Sequence, residues 1–119
     1  DYANPLDYWA LFPSNFVANI ALCIEYIKSK NSDCEIFLIT PPYRNIDGDT
    51  PSRMSAVLPF LKLISEHYSI PLVNSMQESG IGFKYMKANI KYSYDGIHFN
   101  ALGNKLWGKY IARKILSGS

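Results

Sequence analysis

The sequence predicts an α/β protein built on a parallel sheet that is covered on both faces. The first observation is Glu35-Ile36-Phe37-Leu38-Ile39-Thr40, a nearly continuous apolar run stopped by Pro41-Pro42. A strand apolar on both sides belongs to a sheet buried between helical layers. The second is that segments with helical periodicity precede and follow this run, and the third is that a second short strand-like run, Ile70-Pro71-Leu72-Val73-Asn74, comes after the next helix. Helices alternating with buried strands are the mark of parallel α/β architecture.

Taken in order, residues 1–13 are rich in aromatics, asparagine and proline without a clean period and read as a long loop. Ser14 is a candidate N-cap after Pro13. Phe16, Ile20, Cys23, Ile24 and Ile27 then recur at helical spacing as far as Lys30. Asn31-Ser32-Asp33 turns the chain into the strand 35–40. Pro41-Pro42-Tyr43-Arg44 lies at the carboxyl end of that strand, where open α/β sheets form their ligand crevice. Thr50-Pro51 has the form of an N-cap followed by proline at the first helical position. The helix it starts runs to about Tyr68, with Met54, Val57, Leu58, Leu61 and Ile64 inward and a kink expected at Pro59. Residues 75–92 are a mixture of loop and helix. The last helix, 101–116, is expected to bury Leu102, Leu106, Tyr110, Ile111 and Ile115 and to show Lys105, Lys109, Arg113 and Lys114 to water. The whole order is that of the C-terminal portion of a flavodoxin-like three-layer α/β/α sandwich.

Composition narrows the function classes. At 119 residues the chain has the size of one domain, and 48% apolar residues exclude a disordered tail. Twelve basic against ten acidic residues leave +2, too small and too scattered a surplus for a nucleic-acid surface. Lys84, Lys87 and Lys91, with Tyr85 and Tyr92 between them, read as a solvated face. No apolar run has the length of a membrane span, and the first residues have neither the basic region nor the cleavage site of a signal peptide, so no compartment is indicated. Cys23 and Cys34 have no metal-binding spacing and are expected to be unpaired core residues. Ser79-Gly80-Ile81-Gly82 lacks the strand-to-helix context of a nucleophile elbow or phosphate loop. His67, beside Glu66 at a helix C-terminus, is accounted for by the helix dipole.

The chemistry concentrates in Tyr94-Asp95-Gly96-Ile97-His98-Phe99-Asn100, immediately before the last helix. Gly96 allows a turn tight enough for the Asp95 carboxylate to meet an imidazole nitrogen of His98. A carboxylate on one ring nitrogen fixes the tautomer and stabilises the imidazolium, which frees the other nitrogen to take a proton from a nucleophile. The same residues also suit an Asp-Gly turn followed by a capping histidine.

The longer string Asp95-Gly96-Ile97-His98-Phe99-Asn100-Ala101-Leu102-Gly103 resembles the C-terminal block of the SGNH (GDSL-type) esterases and lipases, in which Asp-Gly-x-His-x-Asn-x-x-Gly opens the final helix. The resemblance implies that His98 is the general base and Asp95 its orienting acid, with Asn100 and Gly103 as N-cap and close-packing position. The family often has Thr-Pro-Pro at a strand end, as at Thr40-Pro41-Pro42. It also aligns Asp1 with the last residue of the family's Gly-x-Asn-Asp block, Asn4 being a nearby substitute for that block's asparagine. The Gly-Asp-Ser block with the nucleophile has no counterpart in these residues.

The implied function is a serine-dependent ester hydrolase acting on acyl or acetyl esters, including those of carbohydrates, with no metal or organic cofactor. A non-catalytic flavodoxin-like binding module is the competing expectation. Since parallel sheets usually have about five or six strands and these residues offer two, residues 1–119 are expected to be the C-terminal part of one domain. An N-terminal part carrying the serine, in the same chain or a separate one, is expected to complete it beside residues 35–40.

Overall fold

The structure is a computed structural model and describes residues 16–117. The loop 1–13, Ser14, Asp1 and Asn4 lie outside the described residues. The elements are α1 (Phe16–Lys30), β1 (Leu38–Ile39), α2 (Pro51–Ser55), α3 (Leu58–Tyr68), β2 (Leu72–Val73), α4 (Ser75–Glu78), a 3₁₀ turn (Phe83–Met86) and α5 (Ala101–Leu116). β1 and β2 are neighbours in a two-stranded sheet. The N–H of Leu38 donates to the Pro71 carbonyl at 2.9 Å and that of Thr40 to Val73 at 3.0 Å. Alternate donors of one strand reaching alternate carbonyls of the next is the parallel pattern. Both strands are shorter than the runs 35–40 and 70–74 expected from the sequence. The chain divides into two compact units, one running to Leu38 and including Leu58–Leu72, the other formed by Ile39–Val57 and Val73 onward.

In the first unit α1 buries Ala18, Ala21 and Ile24. Of the expected stripe Ile24 is buried, but Cys23 is exposed and Ile27 is 38% exposed. Two alanines at a spacing of three present a flat strip that a neighbour can approach closely, which larger residues on the expected stripe would prevent. Cys34 is half-buried, and both thiols are free. Neither is therefore the core residue expected, although the absence of a disulfide was. α3 contributes Leu61 and Ile64, both almost wholly buried, and ends at Ser69 in a left-handed conformation (φ 54°).

The single kinked helix expected over 51–68 is two helices. Thr50 caps α2 by accepting from the Arg53 N–H at 3.2 Å, with Pro51 in its first turn. The break falls at Ala56 and Val57, ahead of Pro59. Proline has no N–H and its ring excludes the carbonyl four residues earlier. Restarting the helix at Leu58 puts Pro59 in a first turn, where no donor is needed.

In the second unit Thr40, wholly buried at the end of β1, is tied to the start of α4. Its hydroxyl accepts from the Met76 N–H at 2.9 Å, and the Ser75 hydroxyl donates to its carbonyl at 2.6 Å. Ile81, Met86 and Tyr92 form a core with Tyr43, Phe99 and Trp107 packed on it. α5 starts where expected, with the Asn100 carboxamide accepting from the Gly103 N–H at 2.9 Å. Its buried residues are Gly103 and Tyr110, whereas Leu102, Leu106 and Ile115 are 44%, 36% and 37% exposed. The cause is Gly103: a Cβ there would press into the Tyr92 carbonyl and lie 2.8 Å from the Phe99 ring. The bare glycine lets α5 pack on that side, and the leucines turn outward.

Gly103 and Gly108 occupy the same helix and should respond oppositely to alanine. Gly103→Ala is expected to destabilise, since overpacking of about 1–3 kcal/mol outweighs the gain of up to about 1 kcal/mol in helix propensity. Gly108→Ala, where a Cβ meets nothing within 4 Å, should stabilise by up to about 1 kcal/mol. Urea unfolding midpoints of the two variants check both signs.

Candidate functional site

The loop from Tyr92 to Asn100 is closed by two backbone contacts. The Asn100 N–H donates to the Tyr92 carbonyl at 2.8 Å, and Ser93 pairs with Phe99 as an antiparallel bridge. Within it the Ser93 hydroxyl is a buried hub. It accepts from the Gly96 N–H at 2.8 Å and more weakly from that of Asp95 at 3.3 Å, and gives its single proton to the His98 carbonyl at 2.6 Å. The longer contact to Asp95 Oδ1, at 3.4 Å, has no proton left to share.

Around this hub Asp95 uses both oxygens. Oδ1 accepts from the N–H groups of Ile97 and His98 at 2.8 and 2.7 Å, while Oδ2 lies 2.6 Å from His98 Nδ1. The backbone N–H of His98, then its imidazole, and then the N–H of Ile97 hold the Asp95 carboxyl well below the usual carboxylate range, against a smaller opposing effect of burial. An ionised carboxylate only accepts hydrogen bonds, so Nδ1 carries the proton and the neutral ring has its lone pair on Nε2. The His98 side chain is 65% exposed, and the Tyr94 ring stacks beside it, 6.0 Å between centroids and 13° from parallel.

The turn is also held from outside. Gly96 has φ +89°, and a Cβ on it would lie 2.6 Å from the Asn45 carbonyl oxygen. The Asn45 N–H donates to the Gly96 carbonyl at 2.8 Å and its side-chain amide to the Phe83 carbonyl at 3.0 Å. The segment carrying Asn45 is itself fixed by two bonds of 3.0 Å from the Arg44 guanidinium to the Asp49 carboxylate, which also accepts from the Ile46 N–H. That pairing holds Asp49 below the usual range and raises Arg44.

The structure therefore brings together Asp95 and His98, the two residues singled out in the sequence, and makes Asn100 and Gly103 the cap and close-packing position of α5. Ser93 and Asn45 were not singled out. The signal for Ser93 is its place ahead of Asp-Gly, since a serine two or three residues before turn amides is a standard local acceptor. Asn45 has no such signal, because it meets Gly96 only through the fold. Ser93 is wholly buried, and its hydroxyl donates to the His98 carbonyl.

Ser79 accepts from the Ile81 N–H at 3.2 Å and leads into the 3₁₀ turn, not an elbow. His67, at the end of α3, is exposed and lies edge-on to Tyr68. Lys91 lies over the rings of Tyr85 and Tyr92, and Lys84 over Tyr85. Among the described residues no group of three or more His, Cys, Asp or Glu could hold a metal ion, and no helix is long and apolar enough to cross a membrane.

Ser93→Ala strands the Gly96 N–H and the His98 carbonyl, and should lower stability by about 1–3 kcal/mol in chemical unfolding. Asp95 gives a pH signature. Its folded carboxyl lies below the ordinary value of about 3.9, so the unfolded chain binds the proton more readily. Its stabilising contribution is complete above that ordinary value and is lost as pH falls toward the lower folded one. Asp95→Asn should flatten the acid limb of stability against pH, leaving the part contributed by Asp49. Urea midpoints between about pH 6 and pH 2 measure the difference.

Comparison of the chain with protein-family models, with curated proteins and with solved structures finds no match in any of the three.

Proposed function

We propose that Asp95 and His98 are the acid–base pair of a serine-dependent hydrolase of acyl or acetyl esters, within a flavodoxin-like α/β fold of the SGNH type. The observation that supports this most is the 2.6 Å contact between Asp95 Oδ2 and His98 Nδ1, on a ring whose other side is open to solvent. The parallel pairing of β1 and β2 is compatible with such a fold. In this reading the nucleophilic serine and the oxyanion donors come from outside the described residues, from an N-terminal part of the same protein or a partner chain. His98 Nε2 takes the serine proton as Oγ bonds to the ester carbonyl carbon, then returns it to the departing alkoxide as the ester C–O bond breaks. A water next gives its proton to Nε2 while its oxygen attacks the acyl carbon, and the serine recovers that proton as the acid leaves. Asp95 keeps the ring in one tautomer and stabilises the imidazolium at each protonation. None of these steps calls for a metal or an organic cofactor.

A second reading, a non-catalytic binding module, is favoured by the use of Asp95 Oδ1 as acceptor for two backbone N–H groups, which is a complete structural role by itself. Kinetics separate the two. In the intact protein His98→Ala should lower the turnover of p-nitrophenyl acetate by at least about a thousandfold with little change in unfolding midpoint, and Asp95→Asn should lower it by at least about a hundredfold, both with little change in KM. Turnover unchanged in His98→Ala removes the residue from the mechanism, and an intact protein that hydrolyses no ester leaves the module.

A further inference from the structure

Residues 79–94 contain three lysines and no acidic residue, so that this segment alone exceeds the +2 of the whole chain. Lys84, Lys87 and Lys91 are all exposed, and among the described residues no carboxylate pairs with them. The backbone that carries them is fixed. The Ile90 N–H donates to the Lys87 carbonyl at 3.1 Å across a turn with Asn89 at φ 60°. The Asn89 N–H donates to the Ser93 carbonyl at 2.8 Å, and that of Tyr92 to the Tyr85 carbonyl at 3.2 Å. Met86 and Tyr92 anchor the loop in the core.

Two apolar side chains stand out from this frame: Ile90, at the turn, is 55% exposed and Tyr85 is 42% exposed. The Lys84 and Lys91 ammonium groups lie 5.8 and 5.5 Å from the centre of the Tyr85 ring. The loop is thus an aliphatic tip and an aromatic ring bordered by cations that have no counter-charge. Burying Ile90 takes an apolar phase, and neutralising the lysines takes an anionic one beside it. The interface of a membrane rich in anionic lipid supplies both. Ammonium groups on flexible stems reach its headgroups, tyrosine suits the headgroup level, and isoleucine suits the acyl boundary. A single-stranded nucleic acid fits less well, because its bases stack on open aromatic faces, whereas lysines already stand over the Tyr85 ring. We infer that the loop 84–91 is a docking surface for an anionic membrane. It uses none of the chemistry of Asp95 and His98.

The test is co-sedimentation of the intact protein with vesicles, one set rich in phosphatidylserine and the other of phosphatidylcholine alone. At about 0.15 M salt the protein should bind the first set and not the second, and about 1 M salt should release most of it. Lys84→Gln, Lys87→Gln and Lys91→Gln should each weaken binding by about fivefold, and together by about a hundredfold. Ile90→Ser should weaken it several-fold, with a loss that does not depend on salt. All four side chains are exposed, so unfolding midpoints should stay unchanged. Lys105→Gln combined with Lys109→Gln, which removes charge from α5 instead, should have little effect. Equal binding to both vesicle sets, binding to neither, or a loss in the α5 variant as large as in the loop variants overturns the assignment. Tighter binding of a single-stranded oligonucleotide than of the vesicles, through the same three lysines, overturns it in favour of nucleic acid.

Discussion

The Asp95 carboxylate is the constraint on which the site depends, because its two oxygens serve the backbone and the imidazole together. One oxygen ties the N–H groups of Ile97 and His98, and the other meets the ring of the same histidine. Loop conformation and ring orientation are therefore one degree of freedom. A histidine held only by its side chain would retain rotamer freedom. Here that freedom is removed by hydrogen bonds that are part of the turn itself.

Around this carboxylate the supports differ in sequence range. Ser93, Asp95, Gly96 and His98 arrange one another over a few residues, and Asn100 hands the chain into α5. Asn45 reaches the turn from the segment after β1, braced by Arg44 and Asp49. The Arg44 to Asp49 pair is exposed on the arginine side, where a salt bridge contributes little to stability through its charges. Its effect is geometric, since it sets the path of the loop whose carbonyl lies against Gly96.

What could be read from the sequence follows the same division. The Asp95 to His98 pairing, the positive φ at Gly96 and the Thr50 cap are encoded over three or four residues, and turn and capping chemistry recovers them, whereas the Asn100 cap and the close packing of Gly103 come from the resemblance of residues 95–103 to a helix-opening block. Faces of helices are set by neighbours. α1 turns its alanines inward in place of Cys23 and Ile27, and α5 turns Gly103 inward in place of Leu102 and Leu106, because closeness of approach decides more than side-chain hydrophobicity. The break before Pro59 was legible as a disturbance, but not as a restart. Strand length was overestimated because an apolar run gives the propensity to pair and not the extent of the partner.

The nearest neighbour that a side chain at Gly96 would meet is the carbonyl oxygen of Asn45, a main-chain atom present whatever residue occupies position 45. Most steric conflicts in a protein can be relieved by shrinking the opposing side chain, which gives evolution a two-step path through paired changes. No such path leads away from this glycine. Position 45 can vary as far as its amide bond to Phe83 allows, and position 96 cannot follow it. Diversification of this site by random mutagenesis will accordingly be confined to its rim, at Tyr94 and Ile97, whose side chains are already exposed to solvent.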